Sequence, residues 1–326
     1  MNARKLKKEL VLANQEQSFA LYEQQYALLD GIFEPTRRGE PLHYREIIGH
    51  SKWRHPETGE VYENAIDLKL YVPSVLNPQA ESILLAIIKM SSQDGLRIDP
   101  DQPMLPMFSI PKDNAAKKDT VQTCCTKYKL LQAAGMGDDD KSYKLLDFYL
   151  EKMSLIGVIW KNNLSGWKGN SWFLSYASHN DGRLIIRLNW RLAGAIFGEY
   201  EYAKIDLNER HALEKDPSKT LHRWLSAHLW AGRSEYITYD KLVGHVWTRK
   251  ATKKTQQKRI ERLRNEILTD IASLDKWEVE LRREGVLITH LKDPKYLSAE
   301  QSPTTALTVA KSCFSRQHPT QGQKRV

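Results

Sequence analysis

Residues 246–274, VWTRKATKKTQQKRIERLRNEILTDIASL, restrict the fold more than any other part of the chain. Between Arg249 and Arg264 stand eight cations (Arg249, Lys250, Lys253, Lys254, Lys258, Arg259, Arg262, Arg264) against one acid, Glu261. These sixteen residues therefore hold seven of the chain's nine net positive charges, so the basicity belongs to one local surface. Ile260, Leu263, Ile267, Ile271 and Leu274 recur at helical spacing and form one apolar stripe of an α-helix. At ~100° per residue, Lys254, Thr255, Lys258, Arg259, Arg262 and Asn265 project away from that stripe. Such a helix can bury one face and offer cations, a hydroxyl and an amide to the major groove of DNA. A solvated basic face is the simpler reading of an isolated charge run, but the flanking segments argue against it. Residues 238–247 form a short amphipathic segment. Residues 277–281 and 286–291 alternate around Arg282, Arg283, Glu284 and Gly285, which reads as a hairpin with two arginines near its tip. Short helix, turn, long basic helix and hairpin is the order of a winged helix-turn-helix.

At 326 residues the chain is long enough for two domains, and 41% hydrophobic content is ordinary for a soluble globular protein. The longest apolar run, residues 83–88, is far short of a membrane span. The basic N-terminus has no apolar core of signal-peptide length, so a cytoplasmic protein is expected. Three cysteines, two of them the neighbours Cys124 and Cys125, make neither a disulfide framework nor a zinc site. His43, His50 and His55 have no metal-ligand spacing, and no metal or other cofactor is expected. A pI near 9.2 without acidic blocks fits a nucleic-acid partner.

Residues 1–29 read as an amphipathic helical arm, and 31–60, rich in Gly, Pro, His and charge, as loop. A strand is expected over 61–72, an apolar helix over 81–90, and an irregular proline-rich loop over 99–111. A short helix follows at 126–134. A second, over 141–153, is preceded by Asp138, Asp139 and Asp140, which cap its N-terminus. Residues 155–161 and 171–177 alternate around a turn whose tip carries Lys161 and Lys168, a second hairpin. A strand at 183–189, a short helix at 190–197 and a helix at 217–230 complete the pattern. Apolar helix, short helix, longer helix and hairpin thus occur twice. The expected fold is α+β: an N-terminal helical arm and loop (1–60), two tandem winged-helix domains (61–198 and 199–292) joined through residues 190–206, and a disordered tail (293–326). The helix of the first domain is less basic, with Lys141, Lys144 and Lys152 against Asp147 and Glu151, and is expected to hold phosphates more than to read bases.

Three blocks, residues 175–197, 202–232 and 239–264, resemble the replication protein C family, the replication initiators of IncQ-type plasmids. The resemblance is carried by Tyr176-Ala177-Ser178 before Asp181-Gly182-Arg183-Leu184, by Leu221-His222-Arg223, and by Gly244, Val246 and Trp247 ahead of the basic helix. It covers roughly residues 60–290. It implies a monomer with two winged-helix domains that binds double-stranded DNA at direct repeats (iterons) of a plasmid origin. Such a protein helps melt adjacent AT-rich DNA and brings in a plasmid-encoded helicase.

The alternatives are a winged-helix transcriptional regulator and, more remotely, a DNA strand-transfer enzyme. Residues 221–230 faintly resemble the His-x-x-Arg helix of tyrosine recombinases, but His222 and Arg223 are adjacent and no nucleophilic tyrosine segment follows. The sequence contains neither a His-x-His pair nor a phosphate-binding Gly-x-x-x-x-Gly-Lys loop, so the chain is read as a binding protein and not an enzyme. The DNA-contact set expected from sequence is Arg249, Lys253, Lys254, Thr255, Lys258, Arg259, Arg262 and Asn265. Arg282 and Arg283 at one hairpin tip join it, with Lys141, Lys144, Lys161 and Lys168 in the first domain. Within the proline-rich loop, Met104, Leu105, Met107 and Phe108 are similar to the peptides with which bacterial proteins dock on the sliding clamp; packing into the chain's own core is the competing reading.

Overall fold

The computed structural model describes residues 18–35, 44–54, 61–73, 76–98, 120–164, 166, 168–198 and 200–292. The first part of the chain comprises β1 (Phe19–Glu23), α1 (Gln24–Leu28), β2 (Arg45–Arg54), β3 (Val61–Val72), α2 (Pro78–Asp94), β4 (Leu96–Ile98), β5 (Thr120–Thr126), α3 (Lys127–Ala133) and α4 (Asp140–Ser154). Next come β6 (Gly157–Asn162), β7 (Lys168–Trp172), β8 (Leu174–Ser178), β9 (Arg183–Leu188), α5 (Trp190–Ile196), β10 (Tyr202–Asp206) and α6 (Leu207–Ala212). The last part holds α7 (Asp216–His228), β11 (Arg233–Thr238), α8 (Tyr239–Val246) and α9 (Lys253–Arg262). A π-helical turn (Leu263–Ile267) leads from α9 into α10 (Leu268–Ala272), and β12 (Trp277–Leu281) and β13 (Gly285–His290) follow.

This is a mixed α/β architecture with several small antiparallel sheets, ordered β1-β10, β11-β13-β12, β2-β3-β6-β7 and β4-β5-β9-β8 among the described residues. Helix α2 is the centre of the larger core. Asn77 caps it by accepting the Ala80 N–H at 3.0 Å, Pro78 opens it, and Ile83 to Ile88 are buried on every side. An all-apolar helix of this kind needs cover all round, and β1, β5, α3, α4, α5 and α7 pack against it. Helix α4 begins as expected, with the Asp139 carboxylate accepting the Ser142 N–H at 2.9 Å. That bond holds the Asp139 carboxyl below its ordinary range.

A second core gathers Leu221, Trp224, Leu225, Leu242, Val246, Leu263, Ile267, Ile271, Trp277 and Ile288. Helix α7 lies between the cores, with Ala227 in the first and Leu221, Trp224 and Leu225 in the second. The contact around it is polar and buried. Glu81 on α2 receives the Arg210 guanidinium at 2.7 Å and that of Arg223 at 3.1 Å, and all three side chains are fully buried. Arg223 also donates to Ala27 O and Leu29 O, and Arg210 to Pro78 O and Lys219 O.

Several expectations are corrected. Residues 19–23, expected within a helical arm, form β1, which pairs with β10 and buries Ala20 and Tyr22. Arg45–Arg54 is a strand and not loop, because β3 supplies a ladder that its many polar residues concealed. Residues 171–177 are not one strand: β7 ends at Trp172, buried Phe173 follows, and β8 joins the other sheet. Residues 190–206, expected to join the two domains, contribute Trp190, Leu192, Ala203 and Ile205 to the first core. Strands β4, β5 and β11 were not anticipated. The expectations for residues 1–17, for the peptide at 104–108 and for the tail at 293–326 fall outside the described residues.

Candidate nucleic-acid interface

Thr252 starts the basic helix by accepting the Thr255 N–H at 3.3 Å, and no residue of α9 is buried. Its attachment comes from the C-terminal half, where Leu263, Ile267, Leu268, Ile271 and Leu274 are buried. Ile260, expected on that stripe, is only half-buried. The π-helical turn explains the change of face. Leu268 N–H bonds to Leu263 O, five residues back, so one residue is inserted and both Ile267 and Leu268 reach the core.

The expected contact residues on this helix divide into two groups. Lys253, Lys254, Lys258 and Asn265 are exposed, and among the described residues the three lysines have no ion pair. Arg262 is exposed beside Glu266 at 3.5 Å, a pair that solvent screens. Thr255 is half-buried and bonded to Thr252. Arg259 is also half-buried, and its guanidinium donates to Arg249 O at 2.8 Å and lies 5.7 Å from the centre of the Trp247 ring. Arg259 therefore ties the helix to its own lead-in, a role that its sequence spacing did not reveal. Arg249 is half-buried at the end of that lead-in.

The hairpin tip is held to the helix through a tyrosine. Tyr239 at the start of α8 donates its hydroxyl to Arg282 O at 2.7 Å, and the Arg264 guanidinium lies 5.3 Å from its ring centre. Arg282 is exposed and chelated by Glu280, with contacts of 3.3 and 3.2 Å; Arg283 is exposed beside it. Helix α8 also meets α9 where Gln256 donates to Asp240 at 2.9 Å. Thus α8, α9 and the β12–β13 tip form one connected surface. In the first part of the chain, Lys141 and Lys144 are exposed on α4, whereas Lys161 and Lys168 face each other across the β6–β7 ladder. These two lysine pairs belong to different elements.

Further residues behind this surface were not anticipated. Glu34 accepts the Thr248 N–H and hydroxyl, and Arg45 bonds to both Glu34 and Thr248. His245 on α8 bonds to Asp30 at 2.7 Å and stacks on Trp224, whose other neighbour is His228. No periodicity signals the bonds of Asp30 to His245 and of Glu34 to Thr248, because these partners are 215 and 214 residues apart. His222 and Arg223, noted for a faint recombinase likeness, are buried and engaged by Glu209, Glu81 and backbone carbonyls. No described helix is long and apolar enough to cross a membrane.

The family described as Replication protein C (RepC) matches residues 18–287. No curated protein matches the sequence. Two crystal structures of RctB domains 2 and 3 are similar to it. The first, of selenomethionine derivatives, has a TM-score of 0.43 and 10% identity over 80% of this chain and 95% of that one. The other has a TM-score of 0.45 and 8% identity over 82% and 97%.

Proposed function

Because the chain belongs to the Replication protein C (RepC) family, we propose that it initiates plasmid replication by binding, as a monomer, directly repeated iterons in the origin duplex. In this reading residues 233–290 act as a winged helix: α8 and α9 are the helix-turn-helix, α9 enters the major groove and the β12–β13 tip lies on the backbone. The observation that carries it is the division of the basic helix. Its N-terminal half is capped, cationic and unburied, while its C-terminal half is anchored in a core. Lys253, Lys254, Lys258 and Arg262 meet phosphates or base edges, and Arg259 braces the lead-in. The first part of the chain adds a weaker contact through Lys141, Lys144, Lys161 and Lys168, which positions without specifying. Two unequal units on one chain suit a non-palindromic site, since no symmetry is required of the DNA. Melting of adjacent AT-rich DNA and recruitment of a plasmid-encoded helicase complete the proposed role, and the peptide at 104–108 offers a route to the host sliding clamp.

Footprinting on the cognate plasmid tests this. Protection of tandem direct repeats is expected. Protection of a single palindrome would replace the reading with a transcriptional regulator, and a covalent protein–DNA adduct would replace it with strand transfer.

A further inference from the structure

The β2-β3-β6-β7 sheet has one face in the core and one open. Leu68, Leu70, Val72, Val158 and Trp160 point inward. The ladder then places three rows on the outer face: His50, Asp67, Lys161 and Lys168; Ile48, Lys69, Ile159 and Asn170; and Glu46, Tyr71, Gly157 and Trp172. The last row carries two aromatic side chains, Tyr71 and Trp172. The Tyr44 ring, just before β2, lies 6.0 Å from that of Tyr71. A Cβ on Gly157 would stand 3.8 Å from Tyr71 Cβ and 4.0 Å from Trp172 Cζ3, so the indole leans over the bare glycine toward Tyr71. Tyr44 is 60% exposed and Trp172 61%.

We propose that this face is a platform for single-stranded DNA, its bases stacking on Tyr44 and Trp172 while Lys161 and Lys168 follow the phosphates. The inference rests on the reading of the chain as an origin-binding protein. Open aromatic faces interleaved with cations suit unpaired bases, whereas a duplex keeps its base faces stacked inside. The acids of the face are already engaged: Glu46 holds Lys69 at 2.7 Å, and Asp67 holds His50 at 2.7 Å and Asn163 at 3.0 Å. Lys161 and Lys168 remain exposed at the hairpin end, and a second copy of the chain docking here would have to cover them. Position favours DNA as well. Ile47 and Ile48 of edge strand β2 line a cleft of about 460 Å³ together with Thr248 and Arg249, the lead-in to α9. A strand released beside a duplex held by α9 would emerge against this face.

The test is fluorescence anisotropy of the full chain with labelled oligothymidylate, run in parallel with an origin duplex. Trp172→Ala and Tyr44→Ala should each weaken oligothymidylate binding by roughly fivefold to a hundredfold, the range expected when one base stack is removed, and leave duplex binding unchanged. Trp172→Phe should retain most of the affinity. Lys258→Ala should show the converse, losing duplex affinity and keeping the single strand. Wild-type affinity for oligothymidylate in both alanine variants would overturn the proposal. So would a wild-type dimer in sedimentation that Trp172→Ala converts to monomer, which would make the face an interface between copies. If oligothymidylate binds as described but the origin duplex does not, the duplex reading fails and the platform stands.

Discussion

The carboxylate of Glu34 accepts the main-chain N–H of Thr248 at 2.7 Å, a bond between residues 214 apart in sequence. Thr248 lies in the segment that leads into the basic helix, and Glu34 is fixed by Arg45 at 2.8 Å. The start of the cationic helix is thereby anchored to the part of the chain that carries the other core. Glu34→Ala should lower stability by about 1.5–3 kcal/mol, as expected when charged hydrogen bonds are removed. It should also weaken origin-duplex binding while leaving the salt dependence of that binding unchanged, since every phosphate keeps its cation. A changed salt slope would place Glu34 at the DNA.

The exposed lysines of α9 should behave differently. Each of Lys254→Ala and Lys258→Ala should reduce the slope of log K against log salt by about 0.9 for every phosphate that the variant no longer neutralises. Arg262→Ala should cost roughly 1–3 kcal/mol on cognate DNA if it reads a base, and relax specificity at that position. Arg259→Ala should instead lower the melting temperature, because its guanidinium holds Arg249 O. Titrations at several salt concentrations, paired with thermal melts, separate the two groups.

At the hairpin tip, Arg282→Ala/Arg283→Ala should weaken binding by a similar factor on cognate and unrelated duplexes, since backbone contacts position without specifying. A weakening confined to the cognate duplex would show base reading by the tip.

Glu81 faces two buried guanidinium groups. Removing it leaves both charges without their carboxylate in the interior, so Glu81→Ala should destabilise the chain by about 3–5 kcal/mol. Chemical denaturation measures this directly, and a change under about 1 kcal/mol would mean that water replaces the carboxylate.

Acid should loosen the second core through His290. Burial holds this imidazole below its ordinary value of 6.5, so it stays neutral, donates to Leu229 O at 2.8 Å and stacks on Trp277. As pH falls below 6.5, the unfolded chain binds a proton that the folded state refuses, so stability declines from there down to the lower folded value. Melting temperature should therefore fall as the pH is lowered below 6.5, and less steeply in His290→Gln. Part of the slope should persist, because burial lowers His211 in the same way. Equal slopes for the two proteins would exclude His290 as a source.

The elements legible in the sequence are those whose signal is local. The cationic helix, the hairpin with Arg282 and Arg283 at its tip, apolar α2 and Asp139-capped α4 each declare themselves within about twenty residues, through periodicity, a cap or a turn. Elements whose ladder partner is remote were missed. Strand β1 is a strand because Phe19 meets Asp206, and β2 because Arg45 meets Val72. Taken alone, the first segment has helical spacing and the second reads as polar loop.

The same distinction runs through the candidate site. Sequence by itself determined which residues are cationic and which helix face carries them, because helix periodicity and side-chain charge belong to the local chain. Only the tertiary structure decided that Arg259 turns back to Arg249 O, that a π-helical turn brings Leu268 into the core, and that Glu34 holds Thr248. It also decided that Tyr44, Tyr71 and Trp172 share one open face. Those outcomes depend on which distant surfaces pack together and on where buried polar groups find partners. Burial and hydrogen bonding across long loops are properties of the whole chain, and no stretch of it encodes them alone.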